Sequence, residues 1–183
     1  MRITMAKVMK FIAVLSVIAT ICFSVLYIYN SMSAFLSLAI TFGTTAYHFC
    51  LRLLVGALFN LFMNNRADYT KKWYQVKAWE QKLYVKLKVK KWKNKMPTYD
   101  MDAFDVSKHS WDEVAQASCQ SELVHETDIV LSFVPIIFSV WFGSLAVFII
   151  TSVLGALFDL MFVIMQRYNR PRLLRMVNRS DKR

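Results

Sequence analysis

Glycine and proline are scarce in this chain, with four and three residues in 183, and their scarcity removes several kinds of protein. A loop that cradles phosphate needs clustered glycines so that backbone N–H groups can approach the anion; no such run is present, which argues against a nucleotide-binding fold. The evenly spaced short strands of a membrane barrel are also missing. Cysteine is limited to Cys22, Cys50 and Cys119, an odd number with two members inside apolar runs, so no disulfide framework is implied and the compartment facing Cys119 is expected to be reducing. Histidine is limited to His48, His109 and His125. One Glu-x-x-His is half of a di-iron motif, and the string His125-Glu126-Thr127-Asp128-Ile129 lacks the second histidine of a zinc-peptidase helix. No metal and no cofactor are expected.

What the chain has instead is apolar mass and positive charge. Hydrophobic residues make up 56% and aromatics 15%, and 23 Lys and Arg against 12 Asp and Glu leave a formal charge of +11. This is the composition of an all-α integral membrane protein. Its basic residues flank apolar runs, so the expected counter-charge is anionic lipid headgroups and not nucleic acid. There is no internal repeat.

Phe11 to Tyr29 is uncharged for nineteen residues behind Arg2, Lys7 and Lys10. That exceeds the ~7–15 residues of a signal-peptide core, and a second apolar run follows almost at once, so an uncleaved first span (11–29) with a cytoplasmic N-terminus is expected. Ala34 to Met63 carries the second span (34–56), interrupted only by Tyr47, His48 and Arg52. The 66–128 stretch is polar. Between Asn64 and Met96 eleven basic residues face Asp68 and Glu80, while Trp73, Val76, Trp79, Leu83, Tyr84 and Leu87 keep helical spacing. The pattern predicts an amphipathic helix on the cytoplasmic face, although a period of two from Leu83 to Val89 leaves its end open. Thr98 to Asp128 then turns acidic, and Ser110 with Glu113 reads as a capping box that starts a helix.

Ile129 to Met165 is thirty-seven residues with Asp159 as its only charge, too long for one span of about 20 residues. A single crossing would also put the seven basic residues of the 166–183 tail outside. Two spans (129–142 and 145–165) turning near Trp141 to Ser144 are therefore predicted, giving four in all, with both termini cytoplasmic. Such a hairpin sets Ser121 to Asp128 beside Gln166 to Arg172, and brings Asp159 to the depth of His48 and Arg52, where a buried carboxylate in lipid needs a charged partner.

Chemistry concentrates in those polar stretches. Glu122 and His125 share a helical face, which suits a general base with an orienting carboxylate, and the same spacing also describes a local salt bridge. Arg167, Arg170 and Arg172 form a cluster of planar forks suited to phosphate or to an oxyanion, and the plain alternative is a positive flank that anchors the helix end. Gln166, Tyr168 and Asn169 lie within the same string. Arg52 reads either as a snorkelling cation or as a substrate contact beside His48, for which an interhelical hydrogen bond is the ordinary explanation.

Gln166-Arg167-Tyr168-Asn169-Arg170-Pro171-Arg172-Leu173, Ser121-Glu122-Leu123-Val124-His125 and the Lys90-Lys91-Trp92-Lys93 run ending at Pro97 resemble three marker strings of the glycosyl-diaponeurosporenoate acyltransferase family of small bacterial membrane proteins. The likeness covers about residues 70–175 and keeps the family order. It implies esterification of a sugar hydroxyl on a glycosylated carotenoid by a fatty acyl chain. The expected function is acyl transfer to a hydroxyl of a glycolipid or isoprenoid-linked acceptor at the inner membrane face. In that reading His125 is the base and Glu122 orients it. Arg167, Arg170 and Arg172 hold the donor's phosphate or the developing oxyanion, His48 with Arg52 lines the acceptor cavity, and Gln166, Tyr168, Asn169 and Asp159 are further substrate-binding residues. The other class left open is a non-enzymatic lipid-binding or complex-assembly subunit. The oligomeric state is not legible.

Overall fold

The computed structural model describes residues 5–180 and 182; Arg2 of the first basic flank, and Asp181 and Arg183 of the tail, lie outside the described residues. Seven α-helices form, and no strand is present among the described residues. They are α1 (Met5–Asn30), α2 (Ser33–Met63), α3 (Ala78–Lys86), α4 (Val89–Trp92), α5 (Trp111–Leu131), α6 (Ser139–Phe142) and α7 (Leu145–Ser180). Four stretches are long and apolar enough to cross a membrane: Met5–Asn30, Ser33–Met63, Trp111–Phe142 and Leu145–Ser180. The fold is thus all-α with four membrane-spanning helices.

Helix ends fall where the backbone can leave the helix cheaply. Ser31 between α1 and α2 is left-handed at φ 50°, and Asn64 and Asn65 after α2 are left-handed at 47° and 59°. Asparagine tolerates that conformation better than most side chains, and nothing between Ser33 and Met63 breaks a helix, so α2 runs well past residue 56. Helix α5 opens on a reciprocal box, in which the Glu113 N–H donates to Ser110 Oγ at 3.2 Å and the Ser110 N–H to Glu113 Oε2 at 2.8 Å. It crosses the boundary at residue 128 without a break. The interruption comes instead at Pro135, inside a 3-10 turn at Val134–Phe138. Gly143 and Ser144, both at positive φ, separate α6 from α7. Helix α7 then continues through Pro171 to Ser180, so the basic stretch from Arg167 to Arg179 belongs to the same helix.

The basic segment differs from the single amphipathic helix that its spacing predicts. Between residues 64 and 96 there are 3-10 turns at Lys72–Tyr74 and Lys93–Lys95 and the helices α3 and α4, the longer being nine residues. Lys88 sits left-handed at φ 52° between α3 and α4. The alternation from Leu83 to Val89 has no continuous helical stripe to offer a neighbour, so the helix stops inside it. Tyr74, Glu80, Tyr84 and Val89 turn inward, while Trp73, Trp79 and Val85 stay exposed.

The chain divides into two compact units. The first takes in the chain up to Val55 together with Thr127–Asp159. In it α1 packs on α2 through Phe23 stacked on Phe42 with ring centroids 5.5 Å apart. Pro135 has no N–H to give to the Leu131 carbonyl four residues earlier, and an orphaned carbonyl in an apolar setting is costly. The Tyr47 hydroxyl of α2 supplies the missing donor at 2.9 Å. Arg52 grips Asp159 through Nη2 at 2.6 Å and Nε at 3.2 Å, and its remaining donors reach the carbonyls of His48 and Gly155 at 2.9 and 3.0 Å. His48 lies against Gly155, where a Cβ would come within 2.8 Å of the ring, so only glycine permits this approach of α2 to α7. The second unit comprises Gly56–Glu126 and the chain from Leu160 onward.

The proline-made vacancy gives a test. Tyr47→Phe should destabilise the detergent-solubilised protein by about 1 kcal/mol. In a Pro135→Ala background, where the backbone can donate to Leu131, the same change should cost measurably less. Equal costs in a double-mutant cycle of unfolding midpoints would refute the pairing.

Candidate active site

In the second unit α5 and α7 run antiparallel and interlock through polar side chains. On α5, Ser118, Ser121 and Glu122 occupy one face at spacings of three and four; on α7, Gln166 and Arg170 are one turn apart with Arg167 between them. Gln166 accepts from the Ser118 hydroxyl at 2.9 Å and donates to Ser121 Oγ at 3.1 Å. The two stretches that resemble family marker strings are therefore packed against each other.

Arg167 is the hub of this arrangement. Its Nε and Nη2 donate to the two oxygens of Glu80 at 2.8 and 2.9 Å, and its Nη1 donates to Glu122 Oε1 at 2.6 Å. Further donations go to the carbonyls of Trp73 at 3.1 Å and Gln75 at 3.3 Å. One planar fork thus ties α7 to α3, to α5 and to the turn before α3, which a lysine could not do with its point charge. Arg170 Nη2 takes the other Glu122 oxygen at 2.7 Å, and its guanidinium faces the Tyr74 ring at 5.3 Å. Glu122 is fully buried and Arg170 is 1% exposed. Two carboxylates and two guanidiniums balance, which is what permits such burial.

Glu80 is braced from its own helix as well. The Tyr84 hydroxyl donates to it at 2.7 Å and the Lys77 N–H at 3.2 Å. Burial pushes its carboxyl upward, but the Arg167, Tyr84 and Lys77 donors outweigh that and hold it down at about 2. Burial, with Glu80 beside it, raises the Tyr84 phenol. Burial followed by the nearby Cys119 and Glu122 pushes Tyr74 up to about 12, so neither phenol is a base near neutrality.

Arg167 and Arg170 are each bonded to carboxylates, and each oxygen of Glu122 accepts from an arginine, in charge-assisted bonds roughly twice as strong as neutral ones. His125 lies flat on Phe162, with centroids 4.5 Å apart and planes 8° off parallel. Tyr168 packs edge-on against Tyr84 at 6.0 Å. Asn169 accepts from Lys93 Nζ at 2.6 Å. Arg172 is exposed and forms no ion pair among the described residues. His48, Arg52 and Asp159 belong to the membrane unit described above, where Arg52 and Asp159 pair and both ring nitrogens of His48 are buried without a hydrogen-bond partner.

The residue that sequence reasoning missed is Glu80. Its only signal is isolation: it is the sole acid between Asp68 and Asp100 in a run of lysines. Lys93 belongs to the string ending at Pro97, and nothing in its local pattern marks Asn169 as its neighbour.

Two outcomes test this geometry. A carboxyl held below its ordinary value of 4.5 contributes stability that is complete above that pH and is lost as the pH falls from 4.5 toward about 2. Glu80→Gln should therefore flatten the acid limb of a stability-against-pH curve across that window, and an unchanged limb would contradict the bracing. Separately, Glu122→Gln should cost on the order of 3 kcal/mol, since it leaves buried guanidiniums short of charge, while exposed Arg172→Gln should stay within about 0.5 kcal/mol. Denaturation of the two variants in the same detergent compares them.

A family model described as glycosyl-4,4'-diaponeurosporenoate acyltransferase matches residues 70–179, more than half of the chain. No curated protein matches, and no solved structure matches. The matched range contains the whole Glu80, Glu122, Arg167 and Arg170 network with His125, and excludes α1 and α2. The chain belongs to the glycosyl-4,4'-diaponeurosporenoate acyltransferase family.

Proposed function

We propose that the protein transfers a fatty acyl group to a hydroxyl of a glycolipid or isoprenoid-linked acceptor at the inner membrane face, with both termini cytoplasmic. The observation that carries this reading is the interlock of Ser118, Ser121 and Glu122 with Gln166, Arg167 and Arg170 inside the family-matched range. His125 lies on the same helix as Ser118, Ser121 and Glu122 and stacks on Phe162 of α7, which supports its assignment to this site.

In this mechanism His125 takes the proton of the acceptor hydroxyl as the hydroxyl oxygen adds to the acyl carbonyl carbon. The tetrahedral intermediate collapses, the bond from the acyl carbon to the donor's leaving group breaks, and the leaving group takes the proton back from the imidazolium. Negative charge on the carbonyl oxygen needs fixed donors. Arg170 is suited to this task, because its Nε and Nη1 have no hydrogen-bond partner while Glu122 holds the rest of the group in place. Glu122 and Arg167 act as the frame. Gln166, Tyr168, Asn169 and Arg172 flank the donor. In the membrane unit Arg52 is bonded to Asp159, while His48 keeps two buried ring nitrogens without a hydrogen-bond partner.

The arginine pairing also favours a second reading, a lipid-binding or assembly subunit without catalysis, since two of the three arginines already have protein partners. His125→Ala separates the two. Lipid profiles of cells carrying the wild type should contain an acylated product that falls by at least a factor of about 100 in the variant, the usual scale for loss of a general base. Full product from a variant that remains folded in the membrane would end the catalytic assignment.

A further inference from the structure

One cation pair in the second unit has no acid to answer it. Lys93 donates to the neutral Asn169 Oδ1 at 2.6 Å and lies over the Tyr168 ring at 5.1 Å. Arg172 projects from α7 close enough that its charge, after burial, lowers the Lys93 ammonium below its ordinary value. Neither residue forms an ion pair among the described residues. Lys93 is half-buried and Arg172 is exposed at the edge of the same groove; two like charges at one site attract an anion, and the buried Arg170 of this unit has been given a carboxylate.

Beside this pair runs a groove of about 270 Å³. Its walls are Phe104, Val106, Trp111, Val114, Leu173 and Met176, and Gln166, Asn169 and Arg172 complete the lining, so polar groups stand on an otherwise apolar trough. The size is close to the lower end of ligand pockets, roughly 300 Å³, which suits one alkyl chain and not the two of a bilayer phospholipid. Charge and shape together specify a single-chain amphiphile with an anionic head.

We propose that this groove holds the fatty-acyl chain of the donor, with its anionic head seated between Lys93 and Arg172. The inference rests on the transfer reading above for the word donor, and on the groove alone for the ligand's chemistry. It divides the arginines of the 166–172 string: Arg167 and Arg170 hold the frame, while Arg172, with Lys93, selects the anion. It also gives the Pro97 to Ser110 linker a task, because Phe104 and Val106 form one wall.

The test uses the full chain in nanodiscs of phosphatidylcholine, with a photoreactive palmitate and, in parallel, an equally photoreactive hexadecanol. Palmitate should label peptides from the Phe104–Val114 and Leu173–Met176 regions well above hexadecanol. Arg172→Gln should reduce that labelling about tenfold, the scale of one lost charged hydrogen bond, and Arg172→Lys should keep most of it. Val106→Trp changes an exposed side chain, so the fold is retained while the trough is filled and labelling lost. Labelling confined to α1 and α2, equal labelling by the alcohol, or labelling indifferent to both substitutions overturns the proposal. The two readings fail separately. Acylated product without label in this groove removes the groove and leaves the transferase. Groove labelling that depends on Arg172, in a protein whose His125→Ala form still yields full product, removes the catalytic assignment and leaves the groove.

Discussion

Arg167 is the contact on which the second unit depends. Five oxygen atoms of four residues accept from one guanidinium, and they come from α3, α5 and the turn before α3. None of those pieces has an obvious reason to stay put alone. Helix α3 is nine residues, too short to persist in water by itself. The Trp73 to Gln75 turn offers carbonyls that need donors. What organises a basic, fragmented segment into a cap on α5 and α7 is therefore one arginine and the two acids that face it.

The arrangement is economical in a physical sense. Glu122 is shared by Arg167 and Arg170, so a single buried carboxylate fixes the relative position of two cations one helical turn apart. Glu80 closes the other side of Arg167 with a bidentate bond, the geometry for which arginine is suited and lysine is not. The result is a rigid, electrically balanced block in which Arg170 retains two unspent donors. Rigidity of this kind is what a transferase needs around its reacting groups, since donors that must reorganise during the reaction stabilise the transition state less.

Much of the architecture could be read from residues 11 to 165, because hydropathy over twenty-residue windows reports membrane-crossing helices directly. The polar strings around Glu122 and Arg170 were also visible, as a charge-rich edge on a long apolar run. What was not visible has a common cause. Arg167 and Glu80 are 87 residues apart and meet only through tertiary packing, and no local pattern encodes which carboxylate an arginine will choose. The break at Lys88 was similarly hidden, since helical and alternating spacing overlap there and propensity alone does not arbitrate. Pro135 is the instructive intermediate case. Its effect on the Leu131 carbonyl follows from covalent structure, whereas the identity of the donor, Tyr47, needed the fold.

The same logic says where to look for function in a chain of charge +11. Positive charge is so abundant that its presence identifies nothing; its pairing does. Arg52 has Asp159, Arg167 has Glu80 and Glu122, and Arg170 has Glu122, so each of these is accounted for by the protein's own acids. Most lysines of the basic segment are exposed and need no partner beyond water or headgroups. Lys93 fits neither class: it is half-buried, held by the neutral Asn169 and the Tyr168 ring, without an acid, and Arg172 lines the adjoining groove with Asn169. The neutral partners Asn169 and Tyr168 hold Lys93 in place without cancelling its charge, so the charge remains available to an anion, and the apolar walls beside it favour one that carries an alkyl chain.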